Sequence, residues 1–309
     1  MAITAAMVKE LREMTGAGMM DCKKALNETN GNMDEAVEFL RKNGQAKAEK
    51  KASRIAAEGL CTVVVKDDTT AAAVEVNSET DFVAKNAKFQ AYVAQVAAQA
   101  LTTTATDMDA FMEEKWEKDP SMTVKEALSS QISIIGENMK IRRFTQVEEA
   151  NGFIASYIHA GGKIGVLVDV ETDVVNDELK VMAKNVAMQA AALKPLFTNR
   201  DEVDADYIAK ETEIITAAAK NEKPDANDKI IEGMVKGRIN KELKEICLLD
   251  QVYVKAEDGK QSVGNYVAQV AKENGAKITI KGFVRYETGD GIEKKEENFA
   301  EEVAKQMGN

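Results

Sequence analysis

Apolar positions over the first 45 or so residues recur at helical spacing. Met7, Val8, Leu11 and Met14 share one face behind Thr4, which predicts a capped helix ended by Gly16. A second short helix after Gly18 buries Cys22, Ala25 and Leu26 and stops near Asn30-Gly31. A third begins at Asn32, with Glu35 placed for an arrangement like a capping box, and buries Ala36, Val37 and Leu40 before Gly44 closes it. Three short helices joined by glycine turns predict a compact docking unit rather than a reaction site. Residues 46–57 carry Lys47, Lys50, Lys51 and Arg54 among alanines and read as a solvated helical linker.

The period then changes. Leu60–Val65 and Ala71–Val76 are β-branched runs joined by Asp67-Asp68, a hairpin signal. A helix follows with Phe89, Val93, Val96 and Ala100 on one face, and Met139–Val147 reads as a further strand. The second half repeats this order. Phe153–His159 and Ile164–Val170 flank a tight turn at Gly161-Gly162. A helix with Leu179, Met182, Val186, Ala190 and Leu193 ends at Lys194-Pro195, and Lys277–Tyr286 supplies the matching strand. Between them lies a helical excursion. Asp204 caps a helix bearing Ile208, Ile215 and Ala219, Pro224 forces a turn, and a second helix carries Ile231, Val235, Ile239, Leu243 and Ile246. Its apolar stripe either packs the two helices together or meets a second copy or another partner.

The expected fold class is therefore α+β: an N-terminal three-helix domain, then a core of two related subdomains, each a small antiparallel sheet backed by helices, with an inserted antiparallel helical hairpin. The expected boundaries are 1–53 for the docking domain and linker, 54–149 for the first core subdomain, and 150–203 with 247–287 for the second. The hairpin takes 204–246 and a C-terminal helical module takes 288–309.

A chain of 309 residues exceeds the length, ~250–300 residues, at which single cores stop growing, in keeping with several domains. A net charge of -11 argues against direct nucleic-acid binding, which needs clustered Lys and Arg, and an aromatic content of 5% disfavours a base-stacking surface. The first residues lack the basic and apolar regions of a signal peptide, and no apolar run approaches the ~20 residues of a membrane span. Cys22, Cys61 and Cys247 are odd in number and far apart, as in a cytoplasmic protein with reduced thiols. There is no Walker-type phosphate loop, no GxGxxG after a strand, and no paired Cys or His spacing for zinc. A nucleophile at Cys61 or Cys247 would have to use His159, the single histidine, which reads better as a structural or surface residue. No cofactor or metal is expected, and the balance favours a binding protein over an enzyme.

Seven segments in order carry a resemblance to a known family. They are VKELREMTGAGMMDCKKAL from Val8, EVNSETDFVAKN from Glu75, IGENMKIRR from Ile135, HAGGKIGVLV from His159, KPLF from Lys194, EGMVKGR from Glu232 and GFVRYETGDGIEK from Gly282. Together they span nearly the whole chain, which resembles elongation factor Ts. The resemblance implies that the N-terminal unit is of the ubiquitin-associated-like type. It also implies a guanine nucleotide exchange factor of translation that binds elongation factor Tu in its GDP-bound and nucleotide-free states and promotes GDP release. Thr80, Asp81, Phe82 and Val83 match the loop that intrudes near the partner's magnesium site, with Phe82 as an aromatic wedge. Ile135 and Gly136 match positions that press on the same region. Arg12, Met19 and Met20 match the docking surface of the N-terminal unit, and His159 matches a contact to another domain of the partner. A homodimer through the hairpin is left open.

Two readings of the residues compete with those roles. Phe82 lies seven residues before Phe89 on the stripe with Val93, so periodicity alone buries it. One of Met19 and Met20 is expected to pack inward. Either Thr80 or Asp81 suits the cap of the helix that follows.

Overall fold

The structure is a computed structural model that describes residues 2–293; most of the module expected at 288–309 lies outside the described residues. The described chain runs α1 (Ala5–Thr15), α2 (Met19–Glu28), α3 (Met33–Lys51), β1 (Glu58–Lys66), β2 (Thr70–Ser78), α4 (Asp81–Ala84), α5 (Ala87–Thr102), α6 (Met108–Glu113), α7 (Val124–Ile135) and β3 (Met139–Glu148). It continues through β4 (Gly152–His159), β5 (Ile164–Thr172), α8 (Asp177–Leu193), α9 (Ala205–Glu222), α10 (Asp228–Ile246), α11 (Val263–Asn274) and β6 (Ile278–Glu287). The strands form two three-stranded antiparallel sheets ordered β1-β2-β3 and β4-β5-β6, so the expected α+β class and the repeated strand order are both present.

Two compact units divide the chain. The first contains residues 1–62, 74–144 and 287 onward; the second contains 63–73 and 145–286. In the first, Thr4 Oγ1 accepts from the Met7 N–H at 3.3 Å to start α1, and Gly16 ends it in the left-handed region. Leu11, Cys22, Ala25, Leu26 and Ala36 form the centre of the three-helix core, with Met7, Val8, Val37 and Leu40 packed around them. Asn32 opens α3: its Oδ1 accepts from the Glu35 N–H at 3.3 Å and its Nδ2 donates to Glu35 Oε1 at 2.9 Å.

Gly44 does not close α3 as its position predicts. The helix runs on to Lys51 through the alanine-lysine stretch. Gly44 is buried there, and a Cβ on it would stand 3.7 Å from the Ser129 carbonyl oxygen and 3.8 Å from Ser133 Cβ. Both are ordinary contact distances, so the site has room for a Cβ, and the chain carries the modest helix cost of a glycine inside α3 without ending there. Further along the unit, α5 buries Phe89, Val93, Val96, Ala97 and Ala100, the face its spacing predicts.

In the second unit, Asp67 and Asp68 take φ of 53° and 59°, the left-handed pair of a tight hairpin turn. β4 and β5 pair antiparallel from Gly152↔Glu171 to His159↔Ile164. The core joins Phe153, Val166, Val168 and Val170 of the strands with Leu179, Met182, Val186 and Ala190 of α8. It also takes Val263 and Val267 of α11, a helix capped by Ser262 and ended by Gly275 that the periodicity above does not single out. The hairpin α9–α10 has its own small core of Ala219, Ile231 and Val235, with Ile215, Met234 and Ile239 against it.

Candidate functional site

Thr80 stands with extended backbone and caps α4, its Oγ1 3.4 Å from the Val83 N–H. Asp81, one residue inside, pairs with Lys85 Nζ at 2.6 Å and places a negative charge at the helix start, where the backbone dipoles favour it. α4 is a single turn. Asn86 then starts a new helix, accepting from the Lys88 N–H at 2.8 Å. That break resets the helical phase, so the seven-residue spacing from Phe82 to Phe89 no longer places both on one face. Phe89 is buried, Val83 and Ala84 turn inward, and Phe82 stands 79% exposed. Burial of Phe82, as periodicity suggests, is thus overturned by one non-helical junction.

Ile135 and Gly136 stand at the end of α7, just before the two residues that bond to this loop. α7 begins with a complete capping box between Thr123 and Glu126 and ends at Gly136, whose φ of 92° an L side chain rarely adopts. Ile135 is half-buried and Gly136 exposed. Directly after them, the Glu137 carboxylate accepts from the Thr80 N–H at 3.0 Å and from the Thr80 hydroxyl at 2.6 Å. In return, Glu79 Oε1 accepts from the Asn138 N–H at 2.5 Å, and Asn138 Nδ2 donates to the Arg54 carbonyl at 2.7 Å. Glu79, Glu137 and Asn138 were not singled out from the sequence. Their side of the turn follows no hydrophobic period, and only the glycine stop before them marks a bend.

Arg12, Met19 and Met20 gather elsewhere in the same unit, around a groove of about 390 Å³ shared with Ile3, Val8, Lys9 and Lys23. Met19 and Met20 are 60% and 75% exposed, so neither packs inward as expected of one of them. Ala17, just before α2, packs on the three-helix core, and its carbonyl accepts from Cys22 Sγ at 3.8 Å. Two flexible, polarizable side chains in water beside three basic residues form an adaptable apolar surface.

His159 lies in the second unit as the last residue of β4 and is exposed. The Tyr157 hydroxyl sits 2.9 Å from its Nδ1 with the ring centroids 5.8 Å apart, so the imidazole is oriented by its own strand. Cys61 and Cys247 are buried, and burial pushes the Cys247 thiol up, away from the reactive thiolate. Among the described residues, no group of three or more His, Cys, Asp or Glu could hold a metal ion. No described helix is long and apolar enough to cross a membrane.

Two buried carboxylates complete the electrostatics. Glu75, fully buried in β2, accepts from Arg142 at 3.0 Å, Arg143 Nε at 2.6 Å, Asn77 at 3.0 Å and the Gly289 N–H at 2.8 Å. A lone carboxylate within the apolar run of β2 was the sequence signal for it, because a buried charge needs partners. In the second unit, Glu149 pairs with Lys281 at 3.0 Å and accepts from the Asn151 N–H at 2.6 Å. Burial opposes its charge, but these donors outweigh it and hold its pKa below the usual value. Asp169 beside it is pushed up to about 6, first by burial and then by Glu149.

The three-helix unit, the twin three-stranded sheets and the exposed Phe82 loop make up an α+β chain. Residues 79–290 match the protein family described as Elongation factor TS, more than half of the chain. Proteins named Elongation factor Ts are similar to it over their full lengths. The one from Clostridioides difficile (strain 630) is 54% identical over 306 residues, covering 99% of each chain. Those from Clostridium tetani (strain Massachusetts / E88) and Clostridium novyi (strain NT) are 53% and 52% identical over 307 residues, again 99% of each. This defines the class, a translation elongation factor of the nucleotide-exchange type. The chain belongs to the elongation factor Ts family.

Proposed function

We propose that the chain binds elongation factor Tu carrying GDP, presses Phe82 against the region that holds magnesium and phosphate, and so expels GDP and lets GTP enter. The observation that carries this reading is the outward Phe82, 79% exposed on a capped single turn. A phosphate site that relies on a divalent cation loses affinity when the segment holding that cation is displaced. Thermodynamic linkage sets the requirement: the chain must bind the nucleotide-free partner more tightly than the GDP form, and by the same factor it weakens GDP binding.

Ile135 and Gly136 act beside the wedge, on the same region of the partner. Arg12, Met19 and Met20 anchor the three-helix unit to the GTPase domain, and His159 contacts another domain. An anchor away from the nucleotide lets the wedge act without the factor being displaced. Roles follow the boundaries 1–53, 54–149, 150–203 with 247–287, 204–246 and 288–309, and the site of action is the cytoplasm. No substrate is converted by the chain itself.

Release of a fluorescent GDP analogue from elongation factor Tu tests the reading. Stoichiometric chain should accelerate release by orders of magnitude, and an unchanged rate sinks it. The mass of the complex with nucleotide-free elongation factor Tu shows whether the hairpin also joins a second copy.

A further inference from the structure

We propose that Glu137 is a positioning residue for exchange, holding the turn that carries Phe82 in its outward pose; this rests on the exchange reading above. A helix of four residues lacks the length to be stable by itself, because nucleation is costly and only later turns repay it. Inward packing at α4 comes from Val83 and the small Ala84. The direction of the turn therefore depends on what holds its cap. Thr80 is gripped through both its N–H and its hydroxyl by one carboxylate, that of Glu137, at 3.0 and 2.6 Å. Hydrogen bonds to an ionised acceptor are the short, strong kind.

The grip is reciprocal. Glu137 reaches from the end of α7 to the loop, and Glu79 reaches from the loop to the Asn138 N–H at 2.5 Å. Arg54 closes the set, its guanidinium 3.4 Å from Glu79 and its carbonyl accepting from Asn138 at 2.7 Å. Two opposed struts between the same short segments resist both sliding and rotation, so a push against Phe82 is carried into α7. Glu137 itself presents no contact surface comparable to Phe82. Its effect belongs to the distorted partner state, where the wedge is loaded, more than to the first encounter.

The test compares Glu137→Ala, Glu137→Gln, Thr80→Val and Phe82→Ala with the unaltered chain in fluorescent GDP release from elongation factor Tu, titrated to saturation. Glu137→Ala should lower the maximal release rate about tenfold or more, since small misplacements of a reacting group have large rate effects. The concentration for half-maximal rate should change less than about twofold. The double variant Glu137→Ala/Thr80→Val should lose less than the sum of the two single losses, because the hydroxyl–carboxylate bond is common to both. Glu137→Gln, which keeps one acceptor oxygen, should fall between Glu137→Ala and the unaltered chain.

A maximal rate unchanged in Glu137→Ala, or an equal loss in rate and half-saturation, overturns the positioning role. If Glu137→Ala lowers the melting temperature, the isosteric Glu137→Gln decides by the same two readouts. An unaltered chain that does not accelerate release defeats the exchange reading itself. Acceleration lost in Phe82→Ala but kept in Glu137→Ala leaves that reading standing and removes only this inference.

Discussion

Keeping a phenylalanine in water forgoes roughly 1.5–3 kcal/mol of burial. At Phe82 the local chain arranges this at the expense of a longer helix: Thr80 caps one turn, Asn86 caps the next, and the phase between them is broken. Phe82→Ala should therefore leave stability within about 0.5 kcal/mol by chemical denaturation. The same variant should cut the maximal GDP release rate about tenfold or more while changing half-saturation little; equal losses would make Phe82 an ordinary anchor. A second residue-scale expectation concerns Asp169, whose folded pKa of about 6 lies above its ordinary 3.8. The folded state then holds a proton that the unfolded state has released. This contribution to stability is lost as pH rises through the window from about 4 to 6 and stays lost above it. Asp169→Asn should thus raise stability at pH 8 by about 1 kcal/mol, discounted for the group's partial exposure, with the gain shrinking toward pH 4. Melting curves across pH check this, and a gain that is the same at every pH would refute it. Neither state follows from a hydrophobic period: Phe82 depends on the break between two adjacent caps, and Asp169 on burial and on Glu149 and Lys281, which other segments place beside it.

Elements were easier to read where their signals are local. Thr4, Asn32 and Asp204 cap helices as their positions predict, and Asp67-Asp68 makes the expected turn. α3 passes through Gly44 because a mid-helix glycine costs only about 0.5–1 kcal/mol and the alanine-lysine stretch after it continues the helix to Lys51. α11 carries the same kind of local signal, with Ser262 as its cap, Val263 and Val267 on its buried face and Gly275 at its end. In α10, Gly233 and Gly237 sit mid-helix, with open space where a Cβ would be. Gly237→Ala should stabilise the hairpin locally by about 0.5–1 kcal/mol, seen as slower amide hydrogen exchange in α10. Gly237 also lines a groove of about 940 Å³ with Val235 and Ile239. Slower amide exchange should therefore come with unchanged GDP release if the hairpin is a strut, and with altered release if a partner enters the groove.

At the scale of the whole molecule, the residues proposed as anchors and as wedge lie in different parts of the chain. Arg12, Met19 and Met20 belong to the first unit with the Phe82 loop, while His159 belongs to the second. Met20→Ala and His159→Ala should each raise the half-saturating concentration about threefold to tenfold, as loss of an interface anchor does, and leave the maximal release rate near its original value. Titrated release experiments separate the two parameters. A fall in maximal rate for either variant would show that anchor and wedge are not distinct.

The sequence by itself determined the class of fold, because caps, turns and apolar periods act over a few residues and survive without knowledge of their neighbours. It also carried the family resemblance that singled out Thr80–Val83. Only the tertiary structure decided that Phe82 faces water and that Met19 and Met20 are both free of the core. For Phe82 the reason is the break between two caps, which a seven-residue spacing does not reveal. The buried and bridging charges are decided instead by contacts between segments far apart along the chain. Glu137 reaches Thr80 across 57 positions, Arg142 and Arg143 meet Glu75 across 67 and 68, and Gly289 meets it across 214. No local period encodes such pairings, and only the folded chain brings their partners together.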